Sequence, residues 1–245
     1  YGASAGFAYG TAVSLFAISA LLIFSIPKPE QKIEREPTTL SVLLGGFRYV
    51  FNQKIVLGAI SLDLFAVLLG GAVALLPIYA RDILEIGEEG LGLLRAAPGI
   101  GALLMLAIIT IFPIKDHAGL ILFVSVACFG IATVVFGHSY IVWLSIVALI
   151  FVGAFDMVSV YIREILLQLW TPDQVRGRVN AVNSIFLGAS NELGEARAGF
   201  MAAKWGAVFT VVAGGYAAVG VAAAWSVLFP GIRKTRDLHH GVPEK

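Results

Sequence analysis

The chain has 245 residues, of which 58% are hydrophobic and only 13% are charged, and its formal net charge at pH 7 is +1. Soluble domains carry roughly 25% charged residues, so this composition excludes an ordinary soluble domain and indicates a membrane protein. Nothing in the balance of charge indicates a nucleic-acid partner. The single cysteine, Cys128, excludes a disulfide within the chain.

Seven long apolar stretches follow one another along the chain. They lie at 2–26, 55–79, 90–113, 118–137, 140–165, 179–203 and 206–229. A hydrocarbon core of about 30 Å is crossed by about 20 apolar residues in a helix, and each stretch has nearly that length or more. None shows the ten-residue alternation that is typical of membrane β-strands. The sequence therefore predicts an all-α membrane protein.

The first stretch begins almost at Tyr1, and no methionine precedes it. A signal peptide would show a basic start and a cleavage site, and neither is present here. We therefore expect the chain to be the carboxyl-terminal part of a longer protein, cut at or within a membrane helix. Gly2, Gly6 and Gly10 recur at a spacing of four, which predicts a small-residue face for close helix contact.

A polar break at 25–39 contains three prolines and mixed charges, which is typical of a solvated linker. Apolar residues then recur at helical spacing, at Leu40, Leu43, Leu44, Phe47, Val50 and Phe51. This pattern predicts an amphipathic helix at the membrane surface. Residues 27–54 are thus expected to form a linker between the first span and six later ones, at 55–229.

Basic residues in the loops predict the orientation of the chain, because cytoplasmic loops collect Lys and Arg. One side of the membrane receives Lys28, Lys32, Arg35, Arg48, Lys54, Lys115, Arg176, Arg178, Arg233, Lys234 and Arg236. The other side receives Arg81 and Lys204. We therefore expect the carboxyl-terminal tail, residues 230–245, to be cytoplasmic.

Segment 171–178, with the sequence TPDQVRGR, carries signals for the start of a helix. Thr171 suits the N-cap, Pro172 the first helical position, and Gln174 closes a capping box. The sequence predicts a short surface helix that bends near Gly177 before the next span.

Charged residues within the spans follow a period of three. The stretches 2–26, 118–137 and 206–229 contain none, whereas each of the other four contains at least one. A charge in hydrocarbon is costly and normally faces a protein interior or a water-filled path. The pattern predicts four helices around a polar path and three helices outside it.

The charges within these spans include more acids than bases. The acids are Asp63, Asp156, Glu164, Glu192 and Glu195, and the bases are Arg95, Arg163 and Arg197. One interpretation is that they pair across helices and only fix the packing, with Asp63 and Arg163 as the expected pair. The other is that an unpaired carboxylate takes and releases a proton, for which Asp156, Glu192 and Glu195 are the candidates. Asn191 and Ser184 are placed to hydrogen-bond a solute or a neighbouring helix.

Three segments carry a resemblance to a known family. They are the run FDMVSVYIREILLQLWTPDQVRGRVNAVNSIFLGASNELGE at 155–195, GLLRAAPGIGALL at 92–104, and LFPGIRKTRDL at 228–238. Together they resemble the major facilitator superfamily, in the enterobactin-exporter-like branch also called transmembrane secretion effectors. The resemblance implies helices six to twelve of a twelve-helix fold. Residues 1–26 would then be the last helix of the amino-terminal domain, and 55–229 a six-helix domain of two three-helix repeats.

The resemblance also implies a function: proton-coupled export of a small amphipathic molecule by alternating access, in the bacterial inner membrane. Its implied partners are a small-molecule substrate, protons, the lipid bilayer and the amino-terminal half of the same transporter. The implied substrate and proton pathway comprises Asp63, Arg95, Asp156, Arg163, Asn191, Glu192 and Glu195. The implied cytoplasmic gate comprises Arg176, Gly177 and Arg178. The loop PIKDHAGL at 113–120 departs from the family's gating motif, with Lys115 and Asp116 in its place.

Two other classes of protein share some of these features. A seven-helix receptor or light-driven protein fits the number of spans, but the last span, 206–229, lacks the lysine that a retinal protein needs. An intramembrane enzyme is disfavoured because His117, His138, His239 and His240 all lie in loops or the tail. We expect no enzyme activity, no metal and no cofactor. The identity of the substrate, whether siderophore, drug or peptide-like metabolite, is left open.

Overall fold

A computed structural model describes residues 5–26, 40–71, 73–114 and 116–235 of the chain. All the regular secondary structure in these ranges is helical, as the composition predicts. The chain divides into two compact units, residues 1–39 and 40–245. The predicted linker segment 27–39, Lys115, and the tail from Arg236 to Lys245 lie outside the described residues.

The first unit contains helix α1, Ala5–Phe24. Its apolar side chains, including Phe7, Phe16 and Phe24, are exposed in the structure. A helix that is apolar on all sides is typical of a segment surrounded by lipid or by other helices.

The second unit begins with α2, Leu40–Asn52, and α3, Lys54–Gly70. After a break at Gly71, the same segment continues through a 3₁₀ turn at Val73–Leu75, a short helix α4 at Leu76–Ile78, and a π-helical turn at Tyr79–Ile83. The remaining helices are α5 Gly87–Ile111, α6 Ala118–Gly137, α7 Val142–Leu169, α8 Asp173–Trp205, α9 Ala207–Leu228 and α10 Pro230–Lys234.

Five described segments are long and apolar enough to cross a membrane. They are Lys54–Ile83, Gly87–Ile111, Ala118–Gly137, Val142–Leu169 and Ala207–Leu228. Each coincides with a predicted stretch, and a shorter apolar helix, Tyr9–Phe24, falls within the first stretch. The sixth stretch lies in α8, which is 33 residues long but too polar to join this group. Its amide and carboxylate side chains lower its hydropathy.

The uncharged helices α6 and α9 pack directly on each other. A Cβ at Gly130 of α6 would lie 2.6 Å from the carbonyl oxygen of Gly215 in α9, and the reverse distance is also 2.6 Å. The two backbones can approach this closely only because both positions lack a side chain. Helix α3 lies against α9 and α8, and α7 lies between α5 and α6.

Helices α5 and α7 cross in the same manner. A Cβ at Gly101 would collide with the carbonyl oxygen of Ile150, and a Cβ at Gly153 with that of Pro98. The glycine-rich segment around Pro98 therefore serves helix packing, and α5 passes through this proline without interruption.

Helix α2 coincides with the predicted amphipathic helix, and Phe47 and Val50 of its apolar face pack on the bundle. Val50 is fully buried, and the ring of Phe47 meets that of Phe186 edge-on at 6.2 Å. The hydroxyl of Tyr49 donates to the carbonyl oxygen of Trp170 at the end of α7. Arg48 lies on the exposed side of the helix, and Phe51 is 60% exposed.

The prediction of a separate short surface helix before the sixth span is wrong, because α8 runs as one helix from Asp173 to Trp205. Gly177 is helical, and a side chain there would meet open space, so no contact forces a bend. The predicted N-cap is also wrong. Pro172 occupies the cap position without a side-chain bond, and the buried hydroxyl of Thr171 has no partner among the described residues.

Candidate functional site

The polar centre of the second unit lies beside the break between α3 and α4. At this point α8 crosses very closely: a Cβ at Gly71 would lie 3.3 Å from the carbonyl oxygen of Gly194. The guanidinium of Arg197 donates to the carbonyl oxygen of Leu69 at 2.7 Å and contacts the sulfur of Met201 at 3.1 Å. Because α3 ends here, the Leu69 carbonyl lacks a helical donor, and Arg197 supplies one.

A cavity of about 170 Å³ opens next to this crossing. Three of the predicted pathway residues line it: Asp156 from α7, and Asn191 and Glu195 from α8. The rest of its wall is small or apolar and comprises Val67, Gly71, Val73, Ala74, Phe129, Leu149, Val152 and Gly194. Two carboxylates and an amide thus converge from two helices on a mainly apolar space.

A second, much smaller cavity of about 20 Å³ adjoins Asp156. It is lined by Asp63, Ala66, Val67, Val126, Phe129, Asp156 and Ser159. Asp156, Val67 and Phe129 line both cavities. Asp156 therefore lies between the open cavity and the interior of the helix bundle.

Asp63 and Arg163 form the ion pair that the sequence analysis expected. Both residues are buried, with 7% and 3% of their surfaces exposed. A buried carboxylate and guanidinium are tolerated when they neutralise each other. Nε of Arg163 has no hydrogen-bond partner among the described residues. The hydrogen-bonding capacity of this guanidinium is therefore not fully used by the pair.

The other acids in these spans are not ion-paired with any residue that the structure describes. Glu164 accepts a bond from the amide of Asn183 at 3.3 Å. Within the described ranges, no lysine or arginine forms an ion pair with Asp156, Glu192 or Glu195. The excess of acids over bases is therefore not removed by pairing.

Helix α8 presents a continuous exposed face. Its members are Asn180, Ala181, Ser184, Ile185, Gly188, Ala189, Asn191, Glu192, Glu195, Ala196 and Gly199. Side chains at Gly188 or Gly199 would meet open space. Glu192 lies on this face and does not line either cavity, and Arg95 is exposed on α5, also away from both.

The three residues of the expected gate lie at the start of α8. Arg176 pairs with Asp173 at 2.6 Å and donates to the carbonyl oxygens of Gln168 and Thr171 at 3.4 Å. It thereby ties the end of α7 to the beginning of α8. Arg178 lies against α2, where its main chain would obstruct a Cβ on Gly46 at 2.8 Å. Gly177 is exposed between them.

Sequence reasoning missed three contributors to the site. Ser159 lines the small cavity, although its position between Asp156 and Arg163 on α7 pointed to it. Phe129 lines both cavities from α6, a helix expected to lie outside. The backbone at Gly71 contributes too, and the Gly70–Gly71 pair was the signal for a break there.

These features define a multi-pass α-helical membrane protein with acidic side chains converging on one open cavity. Residues 1–239 match the family described as transmembrane secretion effectors. The chain belongs to this family of the major facilitator superfamily.

Several curated relatives are similar to the chain. It is 28% identical over 205 residues to the Enterobactin exporter EntS of Escherichia coli O1:K1 / APEC, and the same identity holds for those of Shigella boydii serotype 18 and Escherichia coli O157:H7. The matches cover 84% of this chain and 48% of each relative. The chain thus spans about half the length of the curated relatives it matches. No solved structure matches it.

Proposed function

We propose that the chain is the carboxyl-terminal half of a secondary transporter that exports a small amphipathic molecule. The observation that carries the proposal is the cavity lined by Asp156, Asn191 and Glu195. Ionisable groups at membrane depth mark substrate and ion pathways. The apolar wall of the cavity suits the apolar part of a solute, and the amide and carboxylate groups of the cavity suit the polar part.

The substrate class is proposed from the relatives, which are named enterobactin exporters. A siderophore or an amphipathic drug fits a pocket of this mixed character. The cavity of about 170 Å³ is smaller than the roughly 300–1,000 Å³ of sites for drug-sized ligands. In our proposal the amino-terminal half of the transporter provides the remaining wall.

The exposed face of α8 is the evidence for the amino-terminal half as a partner. It combines open glycine positions with Asn180, Ser184 and Glu192, whereas the exposed side chains of α6 are apolar, such as Leu120, Val124 and Ile131. We place the α8 face toward the second half and a hydrated path, and the α6 face toward lipid. The two halves then rock about the cavity in alternating access, in a bacterial inner membrane with the carboxyl terminus cytoplasmic.

Proton coupling is proposed for Asp156, which forms no ion pair with a described lysine or arginine and lines both cavities. Exchange of a proton at this carboxylate would alternate with substrate binding beside Asn191 and Glu195. In this scheme Glu192 and Arg95 line the path farther out, and Arg176, Gly177 and Arg178 form the cytoplasmic gate.

The test uses the full-length transporter in proteoliposomes with an imposed proton gradient and enterobactin as the probe. Asp156→Asn is expected to reduce gradient-driven transport at least tenfold while downhill movement continues, and Glu192→Gln is compared in parallel. Glu89→Gln, an exposed carboxylate at the start of α5, is the matched control and is expected to behave like the wild type.

Unchanged gradient-driven transport in Asp156→Asn would remove the coupling assignment. If the wild type does not move enterobactin, a panel of amphipathic dyes tests the wider substrate class. Failure to move any of these compounds would contradict the export function itself.

A further inference from the structure

The small cavity between α3, α6 and α7 has the size and lining of a site for one water molecule. Its volume is about 20 Å³, and a water needs about 10–15 Å³ together with two to four polar partners. Three polar side chains line the cavity: Asp63, Asp156 and Ser159. All its other lining residues are apolar.

Ser159 supplies independent evidence for a ligand. The residue as a whole is only 6% exposed. Its hydroxyl makes no hydrogen bond with a residue that the structure describes, and the oxygen keeps some accessible surface where the residue lines the cavity. Buried hydroxyl groups nearly always have a partner. Thr133 and Thr210, for example, donate to the carbonyl oxygen four residues earlier in their own helices. Ser159 does not, and it lines the cavity instead.

The charges around the cavity favour a proton carrier over a metal ion. Asp63 is neutralised by Arg163, so Asp156 leaves one negative charge. Glu195 and Asn191 face Asp156 from α8 across the larger cavity, while α6 contributes only Val126 and Phe129. Hard cations take about six or more oxygen ligands, and three polar side chains are too few for one.

We propose that this cavity holds one water molecule that bridges Ser159, Asp63 and Asp156 and passes a proton between the two carboxyl groups. Once Asp156 has taken up a proton from the larger cavity, it gives that proton to the water, and the water gives another of its protons to the Asp63 carboxylate. Asp156 becomes charged and Asp63 becomes neutral, while the water is restored. The inference rests on the proposed function of Asp156 in coupling.

The transfer changes the partner of Arg163. A neutral Asp63 no longer balances the guanidinium, and Asp156 lies seven residues earlier on the same helix, about two turns away. The positive charge of Arg163 therefore favours the newly formed Asp156 carboxylate. In this way the proton loosens the link between α3 and α7, which are otherwise joined by the ion pair.

The experiment compares Ser159→Val with Ser159→Thr in the full-length transporter. Valine and threonine have nearly the same shape and are both β-branched, so they differ chiefly in the hydroxyl group. We expect gradient-driven transport of enterobactin to fall at least tenfold in Ser159→Val and to stay within about twofold of the wild type in Ser159→Thr. Equal transport by the two variants would overturn the relay.

A high-resolution structure of the full-length transporter provides a readout that does not depend on transport. The wild type and Ser159→Thr are expected to show one ordered water against residue 159, Asp63 and Asp156, and Ser159→Val is expected to lack it. A dry cavity or a metal ion in the wild type would overturn the proposal. If the water is present but transport by the wild type does not respond to the proton gradient, the proposed coupling is wrong. The relay is then wrong as well, while the water site itself is confirmed.

Discussion

At the scale of single residues, three arginines predicted within spans meet three different environments. Arg163 pairs with a buried carboxylate, Arg197 binds a backbone carbonyl at a helix break, and Arg95 is exposed. The sequence shows the same residue type within an apolar stretch in each case. What separates them is the neighbour that each side chain reaches, which only the packed bundle specifies.

The Asp63–Arg163 pair has a testable energetic consequence. Removing one partner of a buried ion pair leaves an uncompensated charge, which typically costs about 3–5 kcal/mol. Arg163→Leu is therefore expected to lower the free energy of unfolding of the full-length protein by that amount. The measurement is thermal unfolding of the purified protein in detergent. The double variant Asp63→Asn with Arg163→Leu is expected to recover much of the loss. Additive losses would contradict a direct pairing.

At the scale of helices, close crossings at glycines position the polar side chains. The α5–α7 contact depends on Gly101 and Gly153, and the α3–α8 contact depends on Gly71 and Gly194. The second crossing brings Asn191 and Glu195 to the cavity that Asp156 lines from α7. Small residues are enriched at such interfaces because dense packing contributes much of helix association in lipid.

Two glycines in α5 provide a matched test of this packing. Gly101→Ala would press a methyl group against the Ile150 carbonyl and is expected to destabilise the protein by about 1–3 kcal/mol. Gly99→Ala meets open space and is expected to be neutral or to stabilise by up to about 1 kcal/mol. Thermal unfolding of the two full-length variants is the measurement. Equal effects would show that the crossing tolerates a side chain.

At the scale of the whole molecule, exposed surfaces divide into two chemical kinds. The α8 face carries amides and carboxylates at Asn180, Asn191 and Glu192, whereas exposed residues of α6 and α9, such as Val135 and Val227, are apolar. Lipid accepts the second kind, and the first requires water or protein. An apolar side chain that is exposed in the isolated chain can therefore contact lipid in the membrane, whereas an exposed amide or carboxylate must contact water or protein.

Cysteine labelling distinguishes these surfaces in the full-length transporter. After Cys128→Ala, Ser184→Cys on α8 and Val135→Cys on α6 are each treated with a water-soluble maleimide. Both positions are exposed in the structure. We expect residue 184 to react at least tenfold faster, because it faces a hydrated path. A comparable rate at residue 135 would contradict our placement of α6 against lipid.

The sequence by itself determined the helical class and most of the span positions, because length and hydropathy are local properties that a bilayer selects directly. It also identified the acids, because ionisable residues are rare within apolar spans and can be recognised there without knowing how the helices pack. The predicted pair of Asp63 and Arg163 followed from depth alone.

Only the tertiary structure decided which of these groups meet. Helix rotation brings Asp156, Asn191 and Glu195 into one cavity and leaves Glu192 and Arg95 outside it. The bond from Arg197 to the carbonyl oxygen of Leu69 joins segments far apart in the chain, and so do the close approach of Gly71 to Gly194 and that of Gly101 to Ile150. Such contacts arise from the fit of whole helix surfaces, which no local pattern records.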